Sequence, residues 1–220
     1  MKIRKFDLLV AIYICCIAIA ELMGAKTVPL FSVWGINLSA SVALLVVPLM
    51  FTINDVITEV HGKERARGVV YCGLIVIALL MVMSLIATAL PPSQRFLGSE
   101  AAYDTIFAKS ARIAAASLTA FALAELLDVW VFSKIREKWG KKALWLRNNA
   151  SNFAAQLIDT VVFMTLAFYA LDKPFGPNIA FLIGLIIPYW LLKCAMSVIG
   201  TPLVYAGVKW LRSDLREKTA

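Results

Sequence analysis

Six apolar stretches, each long enough to cross the ~30 Å hydrocarbon core of a bilayer, dominate the chain. They run near Phe6–Ala25, Leu38–Thr58, Gly68–Leu90, Ala111–Phe132, Ser151–Leu171 and Ile179–Gly207. Inside lipid a backbone N–H or C=O has no water to bond, so segments of this length are expected to close their hydrogen bonds internally, as α-helices. The expected fold is an all-α integral membrane protein: one six-helix transmembrane domain over residues 1–220, with the lipid bilayer as its surroundings. Composition agrees, because 61% of the 220 residues are hydrophobic and only 16% charged, more apolar than a soluble domain of this size needs.

The net charge of +8 does not point to nucleic acid, because the basic residues cluster in short segments beside the apolar runs. Lys2, Arg4 and Lys5 precede the first stretch, and Lys63, Arg65 and Arg67 separate the second from the third. Lys134, Arg136, Lys138, Lys141, Lys142 and Arg147 lie between the fourth and fifth; Lys209, Arg212, Arg216 and Lys218 follow the sixth. The opposite connections carry only Lys26, Arg95, Lys109 and Lys173. This alternation predicts that both termini are cytoplasmic. The N-terminus has the basic and apolar parts of a signal peptide but runs into Glu21 and Met23 without a small-x-small site, so a retained first helix is expected.

Within this frame the polar residues at membrane depth are the candidates for function. Asn149, Asn152, Gln156 and Asp159 open the fifth stretch and fall within an arc of roughly 80° on a helix, forming one polar stripe. A carboxylate near a membrane helix's centre costs at least ~2.5–3.5 kcal/mol to insert, so Asp159 must face protein or a water-filled cavity. Lys193, near the middle of the sixth stretch, needs a counter-ion, with Asp159 or Asp55 as the available class. In the second stretch Asp55 and Glu59 share a face with Pro48 and Thr52; Glu59 is also within reach of Arg65 or Arg67 in the following loop. In the fourth, Ser117, Phe121, Glu125 and Asp128 share a face, with Trp130 beside the acidic pair. Glu21 suits either snorkelling to the interface or a functional role.

Several connections also carry expectations. KTVPLFSVWGIN is read as a loop with Trp34 as an interfacial anchor, and FLGSEAAYDTIF as a short interfacial helix over the outer mouth. Pro188, Gly200 and Pro202 interrupt the sixth stretch, a pattern in which transporters expose backbone to substrate. The small-residue run Ala114–Ser117 suits either internal packing or a homodimer interface.

Catalytic signatures are missing: there is no H-E-x-x-H, G-x-S-x-G or P-loop pattern, and the single histidine, His61, sits at a helix end. Cys15, Cys16, Cys72 and Cys194 lack zinc or redox spacing, and no metal or cofactor is expected. An enzyme is disfavoured, and a scaffold does not account for so many ionisable groups in apolar helices. A carrier or capture protein for a small polar solute does. Carboxylates accept paired N–H donors, amides donate and accept, and Phe121, Trp130, Phe163 or Tyr189 offer faces for stacking.

Three blocks, FTINDVITEVHGKERARG, ARIAAASLTAFALAELLDVWVFSKIR and LWLRNNASNFAAQLIDTVVF, resemble the queuosine precursor transporter family in order and spacing over about a third of the chain. The resemblance implies a six-helix inner-membrane protein that imports 7-deazapurine bases, chiefly 7-cyano-7-deazaguanine or its aminomethyl relative, for tRNA modification. The polar positions it matches are Asn54, Asp55 and Glu59, then Arg112, Glu125 and Asp128, then Asn152, Gln156 and Asp159. On this view Asp159 or Glu125 takes the base's donor pair, and Asn152 or Gln156 takes its ring carbonyl. The six-helix plan is also similar to the substrate-binding subunits of vitamin importers that work with an ATP-driven partner.

Overall fold

The computed structural model describes residues 4–33, 36–139, 144–199 and 201–216; among these, 33, 36, 125, 128–139, 144–154, 196–199, 201 and 214–216 are described by backbone alone. Among the described residues the chain is mostly helical. Its order is α1 (Lys5–Met23), β1 (Thr27–Val33), β2 (Ile36–Ser41), a 3₁₀ turn (Val42–Leu45), α2 (Val47–His61), α3 (Lys63–Ala89), α4 (Glu100–Trp139), α5 (Leu144–Phe168), α6 (Phe175–Ile199) and α7 (Thr201–Arg216).

Four helical stretches are long and apolar enough to cross a membrane: Lys5–Met23, Lys63–Ala89, Glu100–Ala124 and Phe175–Ala195, with a shorter apolar stretch at Ala155–Phe168. The third apolar stretch is the plainest case. One side of α3 turns Tyr71, Ile75, Leu79 and Met83 outward, each close to 60% exposed. Such a belt would drive a soluble protein to aggregate, whereas against lipid tails it costs nothing.

The second apolar stretch departs from expectation. Its first residues, Leu38–Ser41, belong to β2, which pairs antiparallel with β1 from Thr27↔Ser41 to Val33↔Ile36, with a register shift between Pro29 and Ser32. The expected loop is therefore a hairpin; Trp34 lies outside the described residues. β-Branched Thr27, Val28 and Val33 favour extended backbone, and Pro29 fits an edge strand that need not donate at every position. The helix of this stretch starts only at Val47, with Pro48 in its first turn, where no intrahelical donor is missed. Pro48 is thus a start signal rather than a mid-helix break, and its carbonyl accepts from Thr52 Oγ1 at 2.9 Å. The 3₁₀ turn and α2 together are roughly 30 Å long at ~2.0 and ~1.5 Å per residue. Gly62, at φ +83°, ends α2 in backbone territory that favours glycine.

Two further boundaries move. The outer segment expected as a separate interfacial helix is the start of α4, which runs unbroken for 40 residues from Glu100. The overlong sixth stretch divides into α6, ending at Ile199, and α7, whose polar and apolar residues lie on opposite faces. Pro188 remains inside α6 and leaves the Gly184 carbonyl without its usual i+4 donor.

Packing ties these elements into one bundle. Tyr13, Ile17, Ile53, Ile57, Val69, Ile77 and Ala114 join α1 to α2, α3 and α4. Met164, Leu182, Leu185 and Tyr189 join α5 to α6, with Leu44 and Val47 packed against them. The α4–α5 pairing is the most extensive between helices. In the small-residue run Ala114 and Ala116 are each 1% exposed and pack within the chain, whereas Ala115 between them is exposed. Arg112 closes the end of α5, donating to the carbonyls of Leu166 at 2.7 Å and Tyr169 at 2.6 Å, where cations suit the helix dipole. Val56, Val208 and Leu211 hold α7 against α2, and Lys5 reaches the Ser213 hydroxyl at 2.5 Å and the Trp210 carbonyl at 3.1 Å.

β2 lies against α6 so closely that a Cβ on Gly184 would collide with the Asn37 carbonyl. Ser41, 2% exposed, knots this corner: its hydroxyl donates to the Gly24 carbonyl at 2.6 Å and accepts from the Ala43 N–H at 3.1 Å.

Candidate functional site

The helices α1 to α6 and the Ser41 corner line a half-open cavity of about 360 Å³. Most of its wall is apolar: Tyr13 and Ile17 from α1, Val47 and Met50 from α2, Leu74 and Ile77 from α3, Ile113 and Phe121 from α4, Phe163 and Met164 from α5. Into this wall are set Glu21, Asn54, Ser117, Asp159, Thr160, Tyr189 and Lys193. An apolar pocket with a few placed polar groups is the usual form of a small-molecule site.

The polar groups fall into two sets. In the first, Lys193 Nζ lies 2.5 Å from Asp159 Oδ2 and 3.1 Å from Thr160 Oγ1, while the Thr160 hydroxyl donates to the Gln156 carbonyl at 2.8 Å. The Lys193 side chain is 14% exposed and that of Asp159 31%. The counter-ion of Lys193 is thus Asp159 and not Asp55. In the second set, Ser117 Oγ donates to Glu21 Oε1 at 2.8 Å. Glu21 is only 6% exposed, and its Oε2 is buried with no partner among the described residues. Asn54 Oδ1 is likewise buried and unpartnered.

The sequence-derived candidates divide accordingly. Asp159, Lys193 and Asn54 line the cavity. Asp55, next to Asn54, is exposed on another side of α2, and Glu59 is exposed and pairs at 3.6 Å with Arg212 of α7, not with Arg65 or Arg67. Successive helical residues point about 100° apart, so choosing the Asp55–Glu59 face meant missing the buried one, marked by Ile53, Val56 and Ile57. Gln156 does not line the cavity; it contributes its backbone carbonyl to Thr160. The side chains of Glu125, Asp128, Trp130 and Asn152 lie outside the described residues.

The cavity residues Glu21, its anchor Ser117 and Thr160 were not among the sequence-derived binding residues. Glu21 read equally well as a snorkelling side chain, yet it turns inward. Ser117 shares a face with Phe121 on α4, and that face does reach the cavity.

Two further hollows share lining residues with the cavity. One of about 300 Å³, lined by Lys63, Arg67 and Tyr71, shares Asn54, Val70 and Phe121 with it. Another of about 590 Å³, lined by Lys109, Arg112 and Asp172, shares Ile113.

Comparison with known proteins places this arrangement. Residues 41–207 match the family described as "Putative vitamin uptake transporter". The chain is 34% identical over 199 residues to a probable queuosine precursor transporter of Bacillus subtilis, covering 90% of this chain and 82% of that protein. It is 28% identical over 158 residues to a probable queuosine precursor transporter of Haemophilus influenzae, covering 71% and 60%. To the queuosine precursor transporter of Escherichia coli it is 30% identical over 127 residues, covering 56% and 52%. No solved structure matches the chain. With a family match over most of its length, a relative 34% identical over 90% of the chain, and a mostly helical fold around a cavity set with polar groups, the chain belongs to the family described as "Putative vitamin uptake transporter" and is similar to these queuosine precursor transporters.

Proposed function

We propose that this protein imports queuosine precursors, 7-deazaguanine bases, across the cell inner membrane, and that the central cavity is where the base binds. The observation that carries the reading is the pairing of an apolar, aromatic-walled cavity of about 360 Å³ with carboxylate, amide and hydroxyl groups that have hydrogen bonds to offer. A planar base needs both features: faces such as Phe121 and Phe163 for its ring, and polar groups for its edges. The names of the relatives point to the same substrate class.

In this reading the chain crosses the membrane six times. The crossings are α1, the 3₁₀ turn with α2 as far as Thr58, the apolar part of α3, that of α4, α5 and α6; the last turn of α2 with His61 lies at the cytoplasmic edge, and α7 lies along the cytoplasmic surface. Both termini are cytoplasmic, as the basic segments require. The hollow at Lys63 and Arg67 then opens inward, and the one at Lys109 and Arg112 opens outward. Glu125, Asp128, Trp130 and Asn152 fall on the cytoplasmic arms of α4 and α5, which a released base would pass. Asp55, Glu59 and Gln156 act outside the cavity, in holding the helices that form it.

Uptake into proteoliposomes tests the proposal. Purified protein should accumulate labelled 7-cyano-7-deazaguanine above empty vesicles, with competition by the aminomethyl relative and none by a pyrimidine. Binding without uptake would instead assign the chain to capture for an ATP-driven partner. Neither binding nor uptake would remove the substrate.

A further inference from the structure

The two charged groups of the cavity wall on α1 and α5 are not equivalent. Asp159 has its charge balanced by Lys193 at 2.5 Å. Glu21 has no counter-ion among the described residues; the Ser117 hydroxyl alone meets it, and Oε2 has no partner. A buried carboxylate oxygen with no donor is costly and is rarely left so without a ligand or water to meet it.

We propose, resting on the reading of the substrate as a 7-deazaguanine, that Glu21 grips the adjacent N1–H and 2-amino donors of the base and sets the preference for 2-amino bases, with Ser117 as its positioning residue. The chemistry fits on three counts. Two parallel N–H donors match the two oxygens of one carboxylate. Oε2 is free, and Oε1, holding one bond from Ser117, keeps a second lone pair. The donors are neutral, so they satisfy the carboxylate without removing Lys193 from Asp159. This revises the expectation that Asp159 or Glu125 takes the donor pair. Asp159 and Lys193 are left as a balanced pair in the wall, and Asn54, with its buried Oδ1 unpartnered, faces the same space for the remaining edge of the base.

The test compares affinities of the detergent-purified full chain for 7-cyano-7-deazaguanine and its analogue lacking the 2-amino group. In the wild type, losing a hydrogen bond to a buried charge should weaken binding by about 10- to 100-fold. In Glu21→Gln the two bases should bind within about 3-fold of each other. In Ser117→Ala, which keeps the carboxylate but frees it, the ratio should fall to an intermediate value while thermal unfolding shows an intact fold. Should Glu21→Gln fail to fold, Ser117→Ala decides alone, and an undiminished ratio overturns the assignment. A wild-type ratio kept by a folded Glu21→Gln protein overturns it too. So does a loss confined to the aminomethyl base, which would mean that Glu21 pairs with the cation. If the wild type binds no deazaguanine, the substrate reading itself has failed; a changed or unchanged ratio can be read only when it binds.

Discussion

Asp159 and Lys193 show how much a single pair can ask of its surroundings. Neither group is fully buried, so their attraction is larger than a surface pair's and smaller than that of a dry one. Replacing Asp159 with Ala leaves the ammonium only the Thr160 hydroxyl and should destabilise the fold by about 1–3 kcal/mol. Adding Lys193→Met should recover most of that loss, which a double-mutant cycle in thermal or denaturant unfolding would measure. Equal losses in the single and double variants would mean that the pair contributes no coupling. His61 carries a different kind of information. It ends α2, beyond the second apolar stretch, edge-on to Phe6 at 4.7 Å, and burial together with the Arg65 charge holds its pKa below the ordinary 6.5. The unfolded chain therefore takes up a proton that the folded chain resists, so stability is full above about pH 6.5 and declines as pH falls through that value. His61→Phe should flatten this part of the pH–stability curve; a wild-type midpoint constant from pH 8 to 5 would contradict the argument.

Among the elements, α6 and the hairpin are joined backbone to backbone. Gly184 is what permits the approach, since any Cβ there meets the Asn37 carbonyl. Gly184→Ala should cost about 1–3 kcal/mol through forced separation of β2 from α6, and Gly184→Val more. Unfolding curves would show the series, and an alanine variant as stable as wild type would mean that the hairpin yields freely. These elements also mark where sequence is informative. α3 was legible because length and composition decide the uncharged run from Gly68 to Ala89 that makes up most of it. The Lys193–Asp159 pair was legible because a cation in an apolar helix must have a counter-ion. The hairpin was hidden because Leu38–Ser41 is continuous in hydropathy with the helix that follows, and hydropathy does not distinguish strand from helix over so few residues. Glu21 was half hidden: a carboxylate near a helix end looks the same whether it turns to headgroups or to the bundle. On α2 the acidic residues drew the choice of face outward, while Ile53, Val56 and Ile57 marked the buried side and Asn54, supplied by the family resemblance alone, is the candidate that reaches the cavity.

At the scale of the molecule, an apolar belt faces outward and a mostly apolar cavity carries a few polar groups inside, and the order of the chain then matters. β1 and β2 are made early, yet α6, the surface on which β2 rests, emerges roughly 150 residues later, about 8–30 s at about 5–20 residues per second. Until then the hairpin's unpaired strand edges have no helix to cover them, and lipid offers them no hydrogen bonds. The hairpin must therefore wait in water or at the headgroups while the helices enter, and settle only when the last crossing arrives. Completion of the cavity, whose wall includes Ser41 from this corner and Tyr189 and Lys193 from α6, thus waits for α6: a nascent chain stalled before α6 would have Glu21 and Ser117 already made, but no binding chamber around them.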